Sequence, residues 1–423
     1  MTGNDRYLHT PRKGFHDRYG VLLSAPAVGP VSRTTEEACA QCDPGPGRAP
    51  KVCFQAPSGR NLGHSAAQGT MIGTTASPHY LQRSDMQVLV TGCAGFIGAA
   101  VTRRLLELGH EVLGIDNLNG YYDAGLKLDR VVATRRTFPA FELLREDIAD
   151  LDPTDTRFDG VEAIVHLGAQ AGVRFSIGHP GQTVSANLVG FANILELSRK
   201  LDVDHLVYAS SSSVYGANEA RPFAVSDEVN HPVSFYGATK RANELMAESY
   251  SRLYEIPTTG LRFFTVYGPW GRPDMAYFSF TRRILAREPI ELFGNGELSR
   301  DFTYIDDVVD GVTACLIKPP RPGTTTGPNV NATSAPHRIF NLGNGSPVTV
   351  KQLIDRLEES LGVPAVRELV GSQLGDVDHT LSDISETTQW CGYQPAIPLN
   401  VGIPRFVEWY LDYYRPHTAA PGG

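Results

Sequence analysis

Three side chains in the middle of the chain could move a proton together: Ser211, Tyr236 and Lys240. Tyr236 and Lys240 are four residues apart, so on a helix they share one face. Ser211 belongs to a run of four serines, Ser210 to Ser213, that follows an apolar, strand-like run at 205–209. A free phenol has a pKa of about 10, so a tyrosine acting as base near neutrality must be lowered by roughly three units, about 4 kcal/mol. A neighbouring ammonium favours phenolate, and so does any other cation nearby. Ser211 can hold a substrate hydroxyl by hydrogen bond while the proton leaves. A lone tyrosine and lysine at this spacing are more often two ordinary helix residues, so the reading needs a cofactor signal elsewhere.

That signal is TGCAGFIG at 91–98. It follows the apolar run Val88-Leu89-Val90 and opens a helical pattern with Ile97, Val101, Leu105 and Leu108 on one face and Gly109 as its stop. Gly92, Gly95 and Gly98 let a dinucleotide pyrophosphate approach the backbone, and the helix start at Phe96 and Ile97 offers unpaired N–H groups. The spacing differs from the commoner G-x-G-x-x-G. Asp116 ends the next apolar run, 24 residues after Gly92. A carboxylate there accepts bonds from ribose hydroxyls and repels a 2′-phosphate, which favours NAD over NADP. The plainer alternative is a surface turn. Asp147 and Ile148, after a short run at 141–144, are read as further cofactor contacts.

These residues need a scaffold that brings distant segments to one edge. From Met86 onward, strand-like runs at 88–90, 111–115, 141–144, 163–167, 205–209 and 258–264 are separated by helix-length segments, with clear helical patterns at 183–200 and 236–254. This implies right-handed βαβ units and a parallel sheet. Ligands bind at the carboxyl ends of such strands, where Asp116, Asp147, Gly168, Ser211 and Thr265 fall. The expected fold is α/β: a Rossmann-type doubly wound parallel sheet with a smaller mixed C-terminal substrate-binding domain. The NAD-binding domain spans 86–266, with 300–345 returning to it in part. The substrate domain takes 267–299 and 346–415, and 416–423 is a tail. A last strand at 338–342 is expected to return to the sheet.

Residues 1–85 are rich in Pro, Gly, Ser, Thr, Ala and His and lack any apolar period. Such a segment cannot bury enough apolar surface to order itself, so it is expected to be disordered, or an over-extended reading frame with Met86 as the start. The 423 residues carry a formal net charge of −8, with no basic stripe for nucleic acid and no apolar stretch long enough to span a bilayer. No nucleic-acid or membrane partner is expected. Six scattered cysteines read as solitary thiols of a cytoplasmic protein; Cys39-x-x-Cys42 lacks a second pair, so no metal site is expected. The sequon at Asn331 lies in a Pro/Thr/Asn-rich loop at 319–336 and reads as chance.

With these residues in place, the chain resembles the extended short-chain dehydrogenase/reductase family of nucleotide-sugar enzymes over nearly all of 86–415. The glycine loop, the set Ser211…Tyr236-x-x-x-Lys240 and the element order carry the likeness. More narrowly, DNLNGYYD (116–123), AQAGVRFSI (169–177), SSSSVYG (210–216), RFFTVYGPWGRPDM (262–275) and RDFTYIDD (300–307) resemble UDP-glucuronate 4-epimerases.

The resemblance implies a redox-neutral reaction. Tyr236 takes the proton of the sugar 4-hydroxyl, hydride passes from C4 to NAD, the 4-keto sugar turns, and hydride returns to the other face. A 4-keto uronic acid can lose carbon dioxide, but decarboxylating or dehydrating relatives carry an acidic residue just after the catalytic Ser/Thr, where this chain has Ser212 and Ser213. Arg272 is the candidate partner of the substrate carboxylate; a loop arginine in a surface ion pair is the bland alternative. Thr265 stands where neutral-sugar epimerases often carry Asn. The resemblance further assigns Asn187, Arg300 and Asp376 to the UDP moiety and brings Arg174 within reach of the sugar or diphosphate. Gln373 replaces a frequent arginine, and Gly168 replaces a usual Ala, which should leave the nicotinamide pocket looser. A homodimer through the helices at 183–200 and 236–254 is implied. The competing readings are a neutral UDP-hexose epimerase, a UDP-glucuronate decarboxylase and a non-catalytic NAD-sensing module.

Overall fold

Residues 85–323, 335–370 and 378–414 are described by a computed structural model. The expectations for the N-terminal extension, the Asn331 sequon, Asp376, Gln373 and the C-terminal tail lie outside the described residues. The strands are β1 (Gln87–Thr91), β2 (Glu111–Ile115), β3 (Glu142–Leu144), β4 (Ala163–His166), β5 (His205–Ser211), β6 (Thr258–Phe263), β7 (Thr265–Tyr267), β8 (Pro289–Phe293), β9 (Ser299–Tyr304), β10 (His337–Leu342), β11 (Pro347–Thr349) and β12 (Val366–Val370).

Seven of them form one sheet in the order β10-β6-β5-β4-β1-β2-β3, parallel throughout. β4 and β6 are buried along their whole length, as expected of a parallel sheet covered on both faces. In β1, Val88 and Val90 belong to one apolar cluster and Leu89 to another, the alternation that separates the two helical layers. The strand order reverses between β1 and β4, and that point opens the crevice at the carboxyl ends.

The helices around this sheet are α1 (Phe96–Glu107), α2 (Ala124–Thr137), α3 (Val173–Gly178), α4 (Pro180–Val184), α5 (Gly190–Leu201) and α6 (Phe235–Tyr254). The single helix expected at 183–200 is interrupted by a π turn, Ser185–Val189, between α4 and α5. The sequence reading named no helix where α2 stands. Its pattern is mixed: Lys127 and Arg130 are buried beside Leu126 and Val131, while Leu128 and Val132 face solvent. α6 starts where the Ser234 side chain accepts the Gly237 N–H at 3.0 Å, which places Tyr236 in the first turn.

The rest of the described chain adds α7 (Ala276–Ala286), α8 (Ile305–Leu316), α9 (Val350–Leu361), α10 (Ser385–Cys391) and α11 (Leu399–Tyr414). β11-β9-β7 make a three-stranded sheet, and β12 pairs with β8. In the 300–345 stretch, β10 joins the main sheet. β9 lies in the small sheet, and α8 contributes Val308, Val309, Val312 and Leu316 to the core shared with Val88 and Val90.

Candidate active site

The glycine loop joins β1 to α1. Gly92 has φ +68°, and a Cβ there would stand 2.7 Å from the Gly168 nitrogen; a Cβ on Gly98 would stand 2.0 Å from the Gly92 carbonyl oxygen. Only glycine fits either place. Gly95 is the N-cap of α1 and provides no capping side chain, so the helix start at Phe96 and Ile97 leaves its amides for an anion. These features fit a dinucleotide pyrophosphate.

Asp116 lies at the end of β2 and is nearly buried. Its Oδ2 accepts the Ala94 N–H at 3.1 Å and its Oδ1 accepts the Leu118 N–H at 2.8 Å. The carboxylate therefore braces the glycine loop and still has lone pairs for ribose hydroxyls. Asp147 accepts from the Asn117 amide at 2.8 Å and from the Ala149 N–H at 2.9 Å, which sets the buried Ile148 below the crevice. The Gly168 N–H donates to Thr91 Oγ1 at 3.1 Å, and its α-carbon abuts Thr91 and Ile148 closely enough that an alanine methyl would press on both. The pocket is not loosened by the missing methyl, contrary to expectation.

Ser211, Tyr236 and Lys240 converge. The Tyr236 phenol lies near Ser211, whose Oγ accepts the Ser213 N–H at 3.1 Å. Lys240 is buried, and its ammonium donates to the Ala209 carbonyl at 3.0 Å, two residues before Ser211. Burial lowers Lys240 from 10.5 to about 8. Burial raises the Tyr236 phenol above its ordinary 10, against the opposing pull of the Arg272 guanidinium and the nearby Ser211 hydroxyl. The expected lowering by Lys240 is not what the protein groups produce: burial dominates, and Arg272 rather than Lys240 is the cation that favours phenolate.

Ser212 and Ser213 form a 3₁₀ turn after β5 and are partly exposed, as is Thr265 at the head of β7. Arg272 lies in the loop before α7. Its Nε donates to Asp274 Oδ1 at 3.0 Å and its Nη2 to Oδ2 at 2.5 Å, and Tyr121 donates to the same carboxylate at 3.0 Å. Burial works against the Arg272 cation, but Asp274 outweighs it and the guanidinium's pKa rises. Arg174 is exposed on α3. Arg300, on β9, donates to the Ser299 and Asp378 carbonyls, each at 3.0 Å.

Asn187 is buried in the π turn: its Oδ1 accepts the Gln170 N–H at 2.8 Å, and its Nδ2 donates to the Gln170 carbonyl at 3.2 Å and to Thr239 Oγ1 at 3.0 Å. Those bonds use both amide N–H donors, so Asn187 braces the loop after β4 against α6.

Sequence reasoning missed Glu244 and Arg262. Both are buried, and they pair at 2.8 Å and 3.0 Å, with Ser210 donating to Glu244 at 2.6 Å. The pair links α6, β5 and β6 beneath Ser211, Tyr236 and Lys240. Glu244 follows Tyr236 and Lys240 at helical spacing, a stripe that was the available signal. Arg130 was missed because it lies on the unrecognised α2.

Comparison with known proteins agrees with this geometry. The family model described as the NAD dependent epimerase/dehydratase family matches residues 88–331. A probable UDP-glucuronate 4-epimerase of Rhizobium meliloti is 44% identical over 340 residues, 79% of this chain and 99% of that protein. UDP-glucuronate 4-epimerase 1 of Arabidopsis thaliana is 44% identical over 361 residues, 82% of each chain. A crystal structure of UDP-glucuronic acid 4-epimerase from Bacillus cereus, in complex with UDP-glucuronic acid and NAD, superposes with a TM-score of 0.69 at 31% identity, covering 78% of this chain and 100% of that one. With its glycine cradle, its acidic strand end and its serine–tyrosine–lysine trio, this chain belongs to the NAD dependent epimerase/dehydratase family.

Proposed function

We propose that the chain interconverts UDP-glucuronate and UDP-galacturonate by epimerisation at C4. The observation that carries the reading is one crevice bringing Ser211, the Tyr236 phenol and the Arg272 guanidinium together, with serines and no carboxylate following Ser211. When bound, NAD supplies hydride acceptance and return at the sugar carbon, together with a cationic ring. Gly92, Gly95, Phe96, Ile97 and Gly98 hold the pyrophosphate, and Asp116 the ribose, with Asp147 and Ile148 beside it. Ser211 orients the 4-hydroxyl. Tyr236 Oη removes its proton and later gives it back. Lys240, through the Ala209 carbonyl, holds the strand end that carries Ser211.

Asp274 occupies two of the five N–H donors of Arg272 and leaves the terminal-nitrogen fork for a second carboxylate. Pairing there stabilises the charge on the carboxylate, and that charge moves onto the enolate oxygen of the sugar as neutral carbon dioxide leaves, so Arg272 raises the barrier to decarboxylation. Ser212, Ser213 and Thr265 offer neutral hydrogen bonds along the sugar. Arg300 and Arg174 are the candidates for the UDP moiety. One observation favours a second reading, a neutral UDP-hexose 4-epimerase: Asp274 already neutralises Arg272.

Two further readings accompany this. A homodimer through α5 and α6 is supported by Leu245 and Leu253, apolar side chains on α6 that face solvent. A cytoplasmic location is supported by Cys93, Cys315 and Cys391, which are free thiols.

The deciding experiment is incubation with UDP-glucuronate followed by proton NMR of the sugar. UDP-galacturonate without release of carbon dioxide supports the proposal. UDP-xylose, or turnover of UDP-glucose alone, overturns it.

A further inference from the structure

Arg130 is among the most deeply buried side chains, yet the reaction has no use for it. It projects from α2 and bridges two segments that the chain separates by well over a hundred residues. Its Nη1 donates to the Ala94 carbonyl in the glycine loop at 3.0 Å and to the Tyr122 hydroxyl at 2.6 Å. Its Nε and Nη2 both donate to the Trp270 carbonyl, at 3.1 Å and 2.6 Å, and Nη2 also reaches the Gly271 carbonyl at 3.3 Å. Among the described residues every one of these acceptors is neutral. A buried guanidinium without a carboxylate partner is poor value for stability alone, because desolvation opposes it.

The held segment is strained. Trp270 has φ +62°, a left-handed conformation that a bulky residue keeps only when its surroundings impose it. Two N–H bonds onto its carbonyl fix that peptide plane, and its indole packs against Trp409 and Tyr413 with ring centroids 5.3 Å away in each case. Tyr413 in turn donates to Asp129, the neighbour of Arg130 on α2. Two residues after Trp270 comes Arg272. On the other side, the N–H of Ala94 is bound by Asp116.

We infer that Arg130 is a positioning residue for substrate selectivity: it clamps the strained Trp270-Gly271 turn to the glycine loop and so sets Arg272 at a fixed place relative to the cofactor. This rests on the reading that Arg272 meets the uronate carboxylate. A purely structural arginine would affect acidic and neutral sugars alike.

The test uses Arg130→Lys and Arg130→Gln in the full chain, which remove the fork geometry. Amide hydrogen exchange at residues 268–275 is expected to quicken about ten-fold in both, the scale of a lost charged hydrogen bond. The KM for UDP-glucuronate is expected to rise about ten-fold or more, by a larger factor than kcat falls, while the inhibition constant of UDP-glucose shifts by less than about three-fold. Equal losses for both sugars, or unchanged exchange at 268–275, overturn the inference. If the wild-type protein does not turn over UDP-glucuronate, the proposed function falls; exchange and calorimetric binding of the two sugars then still decide the role of Arg130. If both variants fail to fold, Tyr122→Phe carries the test: a weaker rise confined to UDP-glucuronate supports the clamp, and no change or an equal change for both sugars overturns it.

Discussion

Arg272 and Asp274 form a side-on, two-bond ion pair at 3.0 Å and 2.5 Å, steadied by the Tyr121 hydroxyl on the same carboxylate. The pair fixes the direction in which the remaining donors of Arg272 point. Arg272→Ala is expected to lower selectivity for UDP-glucuronate over UDP-glucose by ~10-fold or more. Asp274→Asn keeps the cation but frees its orientation, and should raise the KM for UDP-glucuronate several-fold with less effect on UDP-glucose. Steady-state kinetics on both sugars checks this; unchanged selectivity in Arg272→Ala removes it from the role.

Under the proposed mechanism, Tyr236→Phe removes the proton acceptor while keeping the ring. Turnover should fall by about 10²- to 10⁴-fold with UDP-glucuronate still bound. Because burial raises the phenol above its ordinary value in the protein alone, the cofactor-free chain should show no Tyr236 phenolate signal at pH 9. The ultraviolet difference between wild type and Tyr236→Phe reads it directly. A phenolate at that pH would mean that protein groups suffice to activate the tyrosine.

Lys240 is a buried cation that costs stability. Its ammonium is held to about 8 in the fold against 10.5 when free, so folding carries a desolvation penalty whenever both states are protonated. The penalty is complete below about pH 8 and vanishes as the pH rises to 10.5. Lys240→Met should therefore stabilise the cofactor-free protein at pH 7 by about 1–3 kcal/mol, with activity lost, and the gain should shrink above pH 8. Denaturant melts across that range measure it; a destabilised variant at pH 7 contradicts it.

Glu244→Gln leaves Arg262 buried without its anion and is expected to cost about 3–5 kcal/mol. Burial raises the Glu244 carboxyl, but Arg262 outweighs this and the pKa falls below the ordinary 4.5. Its stabilisation is therefore present above the unfolded value and lost as the pH drops through the lower folded one. The gap between wild type and variant should be widest above pH 5 and close in acid. A gap independent of pH would refute the ion-pair account.

The sequence by itself determined the glycine loop between strand and helix and the meeting of Ser211, Tyr236 and Lys240. Those signals are local: a glycine loop needs only its neighbours to make a cradle, and Tyr236 and Lys240 need only one helix to share a face. The strand runs were legible for the same reason, since burial on both faces writes a continuous apolar stretch. Tertiary structure decided everything that depends on a partner far along the chain. Asn187 gives both amide N–H donors to Gln170 and Thr239, so a residue read as a ligand contact serves as a brace. The buried face of α2 takes in two cations beside Leu126 and Val131, because Lys127 finds Asn119, and Arg130 finds Ala94, Trp270 and Gly271. The sign of the Tyr236 shift likewise depends on how deeply the crevice buries the phenol against how near Arg272 approaches, a balance of desolvation and charge that exists only once distant segments are packed together.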